Sequence, residues 1–499
     1  MKSNTSKIIF SFSFSKTLVL LLTSLIGTLV IASLVTAFGF PEPYIHDEFA
    51  YLLGADTFLQ GRLTNPTPPF SEFFETFHVN MEPTYHSKYP PGQSVFLALG
   101  KLLSGMEIYG VWLSFILAAV AVAWALLAVF PPRWAFLGGL LAIANSTLLL
   151  KWAFSFWGGS VAMLGGALLM GGLLRLYQNP RVSGALWMSL GLVILAFSRP
   201  LEGLITAGIV LLFYLATLVK SGQDFSGIRK NYKVLGVIFL TGILILAMNL
   251  FYNKMLTGAA LTFPHGNWNA SESSHEMIRA YQGSQLTTVW FRLQRFFTVF
   301  MGPFLWLPTL LVFRRIRDPR ILAAAFAVLI VSVYSVMTSR AWPHYIAPIA
   351  PFVIGLQVAG CKILFQWKIG NTRTGLILMS LLLTLHYGRE IHAVLTQGRT
   401  IHFEAFREQG AVFKRDLDRF LEEKPGKHII LVRYLEGHSL HREYVYNRAD
   451  IPSAKVIWAR EMSQEENRGL FEAYPDRQIW LLQLRNFPVE MSVLEESER

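Results

Sequence analysis

Runs of roughly 17 to 22 apolar residues, each enough to cross a hydrocarbon core about 30 Å thick, recur along this chain and limit its fold more than any other feature. They fall near 17–38, 108–129, 134–150, 158–174, 184–197, 203–219, 234–252, 297–313, 321–337, 345–366 and 374–387. A chain of 499 residues that is 53% hydrophobic and 15% charged does not have the make-up of a soluble globule. The expectation is a mainly α, polytopic helical membrane protein with about 11 transmembrane helices. The first run follows Lys2, Lys7 and Lys16, exceeds a signal-peptide core in length, and reads as an uncleaved span.

The net charge of +12 invites a nucleic-acid reading, but its distribution argues otherwise. The basic excess lies before residue 388, and the stretch 388–499 is slightly acidic. Lys220, Arg229, Lys230 and Lys233 sit in one inter-span loop, and Arg314, Arg315, Arg317 and Arg320 in another. Basic loops of this kind set membrane orientation. They place the amino terminus in the cytoplasm and put loops 40–100 and 254–295, with the stretch 388–499, on the non-cytoplasmic side. No nucleic-acid partner is expected. Cys361 is the one cysteine, so no intrachain disulfide can form.

Loop 40–100 holds seven carboxylates, Glu42, Asp47, Glu48, Asp56, Glu72, Glu75 and Glu82, between two apolar runs. Phe49, Leu52, Leu53 and Leu59 recur at helical spacing, which predicts a surface helix over 46–63 with Asp47 and Glu48 in its first turn. The Tyr89-Pro90-Pro91-Gly92 corner is stiff and suits a helix start, so a second surface helix is expected over 94–103. The stretch 388–499 changes character. A helical pattern from Phe403 to Leu421 stops at Pro425-Gly426, and strands are expected at His428–Tyr434, 456–459 and 478–482, with a helix near 465–474. This is a small α/β domain without a glycine-rich phosphate loop, which leaves 1–387 as the transmembrane domain.

Asp47, beside Glu48 at the outer interface, could act as a general base or hold a divalent cation; alternatively, both acids merely favour a helix amino terminus. Lys88 on its rigid corner, with Arg199 and Arg340 each shortly before a proline, is placed to meet a lipid phosphate, against the ordinary reading of cations snorkelling at the interface. His344 and Tyr345 open the next span and could join them, or serve as a headgroup-level anchor. His46, His78, His86, His265 and His275 lie on the same side, but no pair has tight zinc spacing, and no metal is assigned. Trp152, Phe154, Phe156 and Trp157 offer an aromatic wall for a polyprenyl chain, or a common interfacial belt.

An amino-terminal span, His46-Asp47-Glu48-Phe49 at a surface-helix start and a Lys88-Tyr89-Pro90-Pro91 element before the second span together resemble the C-type fold of membrane glycosyltransferases. The likeness is to bacterial family 39 proteins, akin to protein O-mannosyltransferases and the lipid A aminoarabinose transferase, and covers roughly 1–387. The resemblance implies a bacterial inner-membrane enzyme, a hexosyl- or pentosyltransferase. It would take a sugar from a polyprenyl-phosphate donor and pass it, with inversion, to a glycan, lipid or protein acceptor. Asp47, supported by Glu48, would be the base or metal-facing carboxylate, and Lys88, Tyr89, Arg199, Arg340, His344 and Tyr345 would bind phosphate. The rival readings are a secondary transporter of a small polar or anionic solute, whose ionisable groups belong near the bilayer midplane, and a non-catalytic membrane scaffold.

Overall fold

The first span is delimited by its end residues. The Ser15 side chain accepts the Leu18 N–H at 3.0 Å, and Gly39, at φ 88°, donates back to the Val35 carbonyl. Between them helix α1 (Lys16–Phe38) runs 23 residues, about 34 Å at 1.5 Å per residue. The computed structural model describes residues 15–221, 231–266, 302–338, 343–405, 409–435, 438, 443–484 and 490–493.

The loop that follows holds helix α2 (His46–Leu59), a short hairpin of β1 (Val79–Asn80) and β2 (His86–Ser87), and helix α3 (Gly92–Ser104). The bundle continues with α4 (Ile108–Leu126), α5 (Pro132–Ala144), α6 (Ser146–Ala153), α7 (Gly159–Gln178), α8 (Val182–Ala196), α9 (Pro200–Ser221) and α10 (Tyr232–Thr257). Then come α11 (Pro319–Thr338), α12 (Ala350–Phe365) and α13 (Thr374–Ala405). This is a multi-pass membrane protein.

Seven of the described helices are long and apolar enough to cross a bilayer, or eight if α5 and α6 form one span bent by 51°. Among the described residues, three of the eleven expected runs are not matched by a helix of that kind. Helix α8 has 15 residues, too few for a full crossing on its own. The run at 297–313 lies partly outside the described residues, and from Pro303 it breaks into short turns, with Pro308 unable to sustain a helix interior. The run at 374–387 opens the 32-residue α13, which passes uninterrupted through the expected division at 387.

Helix α7 lies at the centre, almost wholly buried, and its glycines let neighbours close in. A Cβ on Gly172 would stand 2.5 Å from the Met188 nitrogen and 2.7 Å from the Gly184 oxygen, so the α7–α8 crossing requires glycine there.

Near the carboxyl end, α14 (Gln409–Glu423), β3 (Lys427–Tyr434), β4 (Val456–Arg460), α15 (Gln464–Ala473), β5 (Arg477–Leu484) and β6 (Glu490–Val493) build the expected α/β unit. The sheet order is β4-β3-β5-β6, with β3 parallel to β4 and β5, and β6 antiparallel to β5. Alternation along the strands sends side chains to two cores. Ile430, Val432, Trp458 and Leu482 meet Leu417 and Leu421 of α14. Ile429, Leu431, Ile457 and Ile479 share a second core with Phe73, Phe74, Val79, Tyr85 and, from α2, Ala50 and Leu53. The sheet is thus mounted on loop 40–100, and α2 is sandwiched between sheet and bundle rather than lying free on a membrane surface.

Candidate active site

Everything in the site is positioned by the first turn of α2. Ile45 has no side-chain oxygen to cap the helix, and Glu48 compensates by reaching back: Oε2 accepts the Tyr44 and Ile45 N–H groups at 3.0 and 3.2 Å. Its other oxygen accepts the Phe156 N–H at 2.8 Å, which ties α2 to the segment after α6. Glu48 is 1% exposed, and burial pushes its carboxyl up to about 7, against the pull of those three N–H groups.

Asp47 is one residue back, about 100° around the helix, and meets different company. Its carboxylate accepts the Tyr89 hydroxyl, stands 3.7 Å from His78 Nε2 and keeps a third of its side-chain surface exposed. Burial and the Asp47 charge hold the Tyr89 hydroxyl well above its ordinary pKa, so it stays a donor. Tyr51, one turn along α2 from Asp47, stacks on Tyr89 with ring centres 4.7 Å apart.

The corner that carries Lys88 and Tyr89 is fixed to a segment a hundred residues away. Gly92 N–H donates to the Phe197 carbonyl at 2.6 Å, and a Cβ on Gly92 would lie 2.6 Å from that same oxygen. The contact brings the Lys88 corner to the turn that carries Arg199. The Arg199 guanidinium lies 4.9 Å from the centre of the Tyr345 ring. Among the described residues its Nε is buried without a hydrogen-bond partner. Lys88 sits over the Tyr89 ring at 5.2 Å; burial pushes its ammonium down to about 8, while Asp47 supports the charge. His344 packs 4.6 Å from Tyr345 and 5.2 Å from Trp157, and burial, reinforced by Arg199 and Lys151, holds its pKa well below the usual histidine value.

Of the residues expected from the sequence, Asp47, Lys88, Tyr89, Arg199, His344 and Tyr345 therefore surround one site. Glu48 is turned away from it, into the scaffold. Arg340, His275 and most of loop 254–295 lie outside the described residues. Residues that local sequence does not flag are Tyr51, which helical spacing from Asp47 would have found, and Tyr446, which nothing local announces. Tyr446 stacks on Phe49 at 4.2 Å, and its hydroxyl pairs with His46 Nδ1 at 2.5 Å.

The histidines divide. His78 and His265 gather on Tyr89, with ring centres 5.4 and 6.2 Å away, and His46 faces His78 at 6.0 Å. His86 instead bonds Asn80 at 3.0 Å and the Thr84 carbonyl at 2.7 Å, serving the hairpin. Among the described residues no three His, Cys, Asp or Glu side chains gather closely enough to hold a metal ion.

The aromatic wall is also not where the sequence reading places it. Trp152, Phe154 and Phe156 are buried in the bundle core. An apolar cavity of about 460 Å³ lies instead on the Asp47 side of α2, walled by Phe58, Pro91, Phe96, Phe197, Met248 and Phe251. Phe197 is two residues from Arg199 and Pro91 three from Lys88, so the groove is walled in part by the segments that carry the two cations. The buried Glu390 accepts the Ser146 N–H at 2.7 Å, capping the break between α5 and α6, and pairs with Arg389 at 2.6 Å.

No family model matches the chain, and no curated protein sequence does. Solved structures do. ArnT from Cupriavidus metallidurans, the lipid A aminoarabinose transferase, superposes in its apo state with a TM-score of 0.56 at 13% identity, over 94% of this chain and 93% of ArnT. The ArnT structure bound to undecaprenyl phosphate gives 0.55 at 13% identity, over 93% and 92%. The oligosaccharyltransferase of Archaeoglobus fulgidus gives 0.55 at 11% identity, over 95% of this chain and 70% of that one. These likenesses span bundle, loop and carboxyl-terminal sheet together, and the protein has the C-type fold of the membrane glycosyltransferases.

Proposed function

We propose that the protein transfers a sugar from a polyprenyl-phosphate donor to an acceptor hydroxyl, on the non-cytoplasmic face, with inversion. The observation that carries this reading is the arrangement of Asp47 and two cations, Lys88 and Arg199, around Tyr89, on segments that also wall an apolar groove. The chemistry needs those parts in that order. The groove takes the isoprenoid chain, and the cations take the phosphate where the chain meets the interface. As the bond between the anomeric carbon and the phosphate oxygen breaks, negative charge grows on that oxygen. Lys88 and Arg199, fixed in a partly dehydrated site, stabilise it without reorganising. Asp47 accepts the proton of the acceptor hydroxyl as its oxygen bonds to the anomeric carbon from the opposite side. Tyr89, donating to one Asp47 oxygen, orients the carboxylate.

Glu48 is a positioning residue in this scheme, holding the α2 first turn against Phe156. His344 and Tyr345 complete the phosphate side next to Arg199, and Arg340 is proposed with them. Glu48 is committed to backbone amides, which leaves Asp47 as the carboxylate that would act as the base or face a divalent cation. The neighbour bound to undecaprenyl phosphate supports the choice of donor class.

The test is release of free polyprenyl phosphate by the purified protein from a panel of polyprenyl-phosphate sugars, with acceptor extract and with or without chelator. Release with one donor is the expected result, and its loss on chelation would assign Asp47 the metal-facing role rather than that of base. No release from any donor, with the protein folded, would contradict the reading.

A further inference from the structure

A second cavity lies at the end of the bundle remote from Asp47, and we propose that it binds a phospholipid with an anionic headgroup. It belongs to no part of the site described above. His344, at the site, precedes the candidate membrane span Ala347–Phe365, and Lys362 lies near the far end of that span. A helix that crosses the hydrocarbon core with His344 at one end carries Lys362 to the opposite interface.

The cavity, of about 150 Å³, opens between α4, α7, α11 and α12. Its wall is aliphatic and aromatic, including Leu126, Met170, Leu173, Phe352 and Ile363. An apolar-walled space of this size takes an apolar guest, here a segment of one acyl chain.

Its rim is cationic. Among the described residues there, Arg320 is committed to Asp318 through two bonds of 2.9 and 2.6 Å, which leaves Arg315 and Lys362 in excess. Lys362 is half-buried with its ammonium 5.4 Å from the Phe130 ring centre, and Arg315 is exposed. Apolar wall and net positive rim at one interface match an acyl chain ending in a phosphate. A zwitterionic headgroup would bring its own cation against Arg315 and Lys362.

The experiment follows thermal unfolding of the full chain in detergent with added phosphatidylglycerol, phosphatidylcholine of the same chains, or inorganic phosphate. Phosphatidylglycerol should raise the midpoint by about 2–4 °C more than phosphatidylcholine, and inorganic phosphate should not shift it. The double change Arg315→Gln with Lys362→Gln should abolish the difference and leave polyprenyl phosphate release unaltered. Ala359→Leu fills the cavity without touching charge and should abolish it as well, which keeps the test decisive if the double variant does not fold. Equal shifts from the two lipids, or a phosphatidylglycerol advantage that survives in the folded variants, would overturn the proposal. So would a shift from inorganic phosphate alone, which would assign the rim to a free anion.

Discussion

The two faces of α2 carry similar residues to opposite ends. On the front, Asp47, Tyr51 and Phe58 look toward the Lys88 corner and the apolar groove; behind, Phe49, Leu53 and Asp56 look toward the sheet. Acids occur on both. The Asp47 carboxylate is a third exposed, with side-chain partners that an acceptor could displace. Asp56 accepts the Ala449 N–H at 2.8 Å, and Glu48, between the two faces, accepts three amides in a site closed to water. Side-chain partners on an open face leave a carboxylate available for chemistry, whereas backbone partners in a closed one make it structural. The difference comes from rotation around one helix and not from residue type.

That contrast can be broken first on the front face. Asp47→Asn should lower turnover by about 10³-fold while the melting temperature stays within error, since the amide keeps the shape. Arg199→Gln comes next, at about 10²-fold in polyprenyl phosphate release, because a neutral amide cannot stabilise the leaving phosphate. Lys88 sharpens the point through pH. It is charged below its pKa of about 8 and neutral above it, so turnover should fall as pH rises through that value, and Lys88→Arg should carry the limb to higher pH. The smallest effect is expected on the back face. Tyr446→Phe removes the hydroxyl partner of His46 but keeps the stack on Phe49, and should cost about threefold or less in kcat with donor KM unchanged.

Local chemistry made some of this legible. The start of α2, the proline corner before α3 and all three expected strands rest on cues a few residues apart: an acidic first turn, Pro90-Pro91, and short apolar runs, the first of them following Pro425-Gly426. The seating of the sheet did not, because a continuous apolar run says that β3 has two apolar faces but not that Phe73 and Tyr85 cover one of them. The same holds for the link from Gly92 to Phe197, which makes one site of Lys88 and Arg199, and for Phe156 as the second partner of Glu48. An acid pair in a helix first turn reads alike in sequence whether both members, one or neither faces the chemistry. Only packing separates them.

The most direct measurement puts Asp47→Asn and Glu48→Gln side by side, with polyprenyl phosphate release and thermal unfolding read on the same preparations. The account predicts a crossed result. Asp47→Asn melts as wild type does and releases almost nothing. Glu48→Gln, whose amide nitrogen would face a backbone N–H, loses about 1–3 kcal/mol of stability yet keeps turnover per folded molecule within about tenfold of wild type. Equal turnover in wild type and Asp47→Asn, or loss confined to Glu48→Gln, would contradict it.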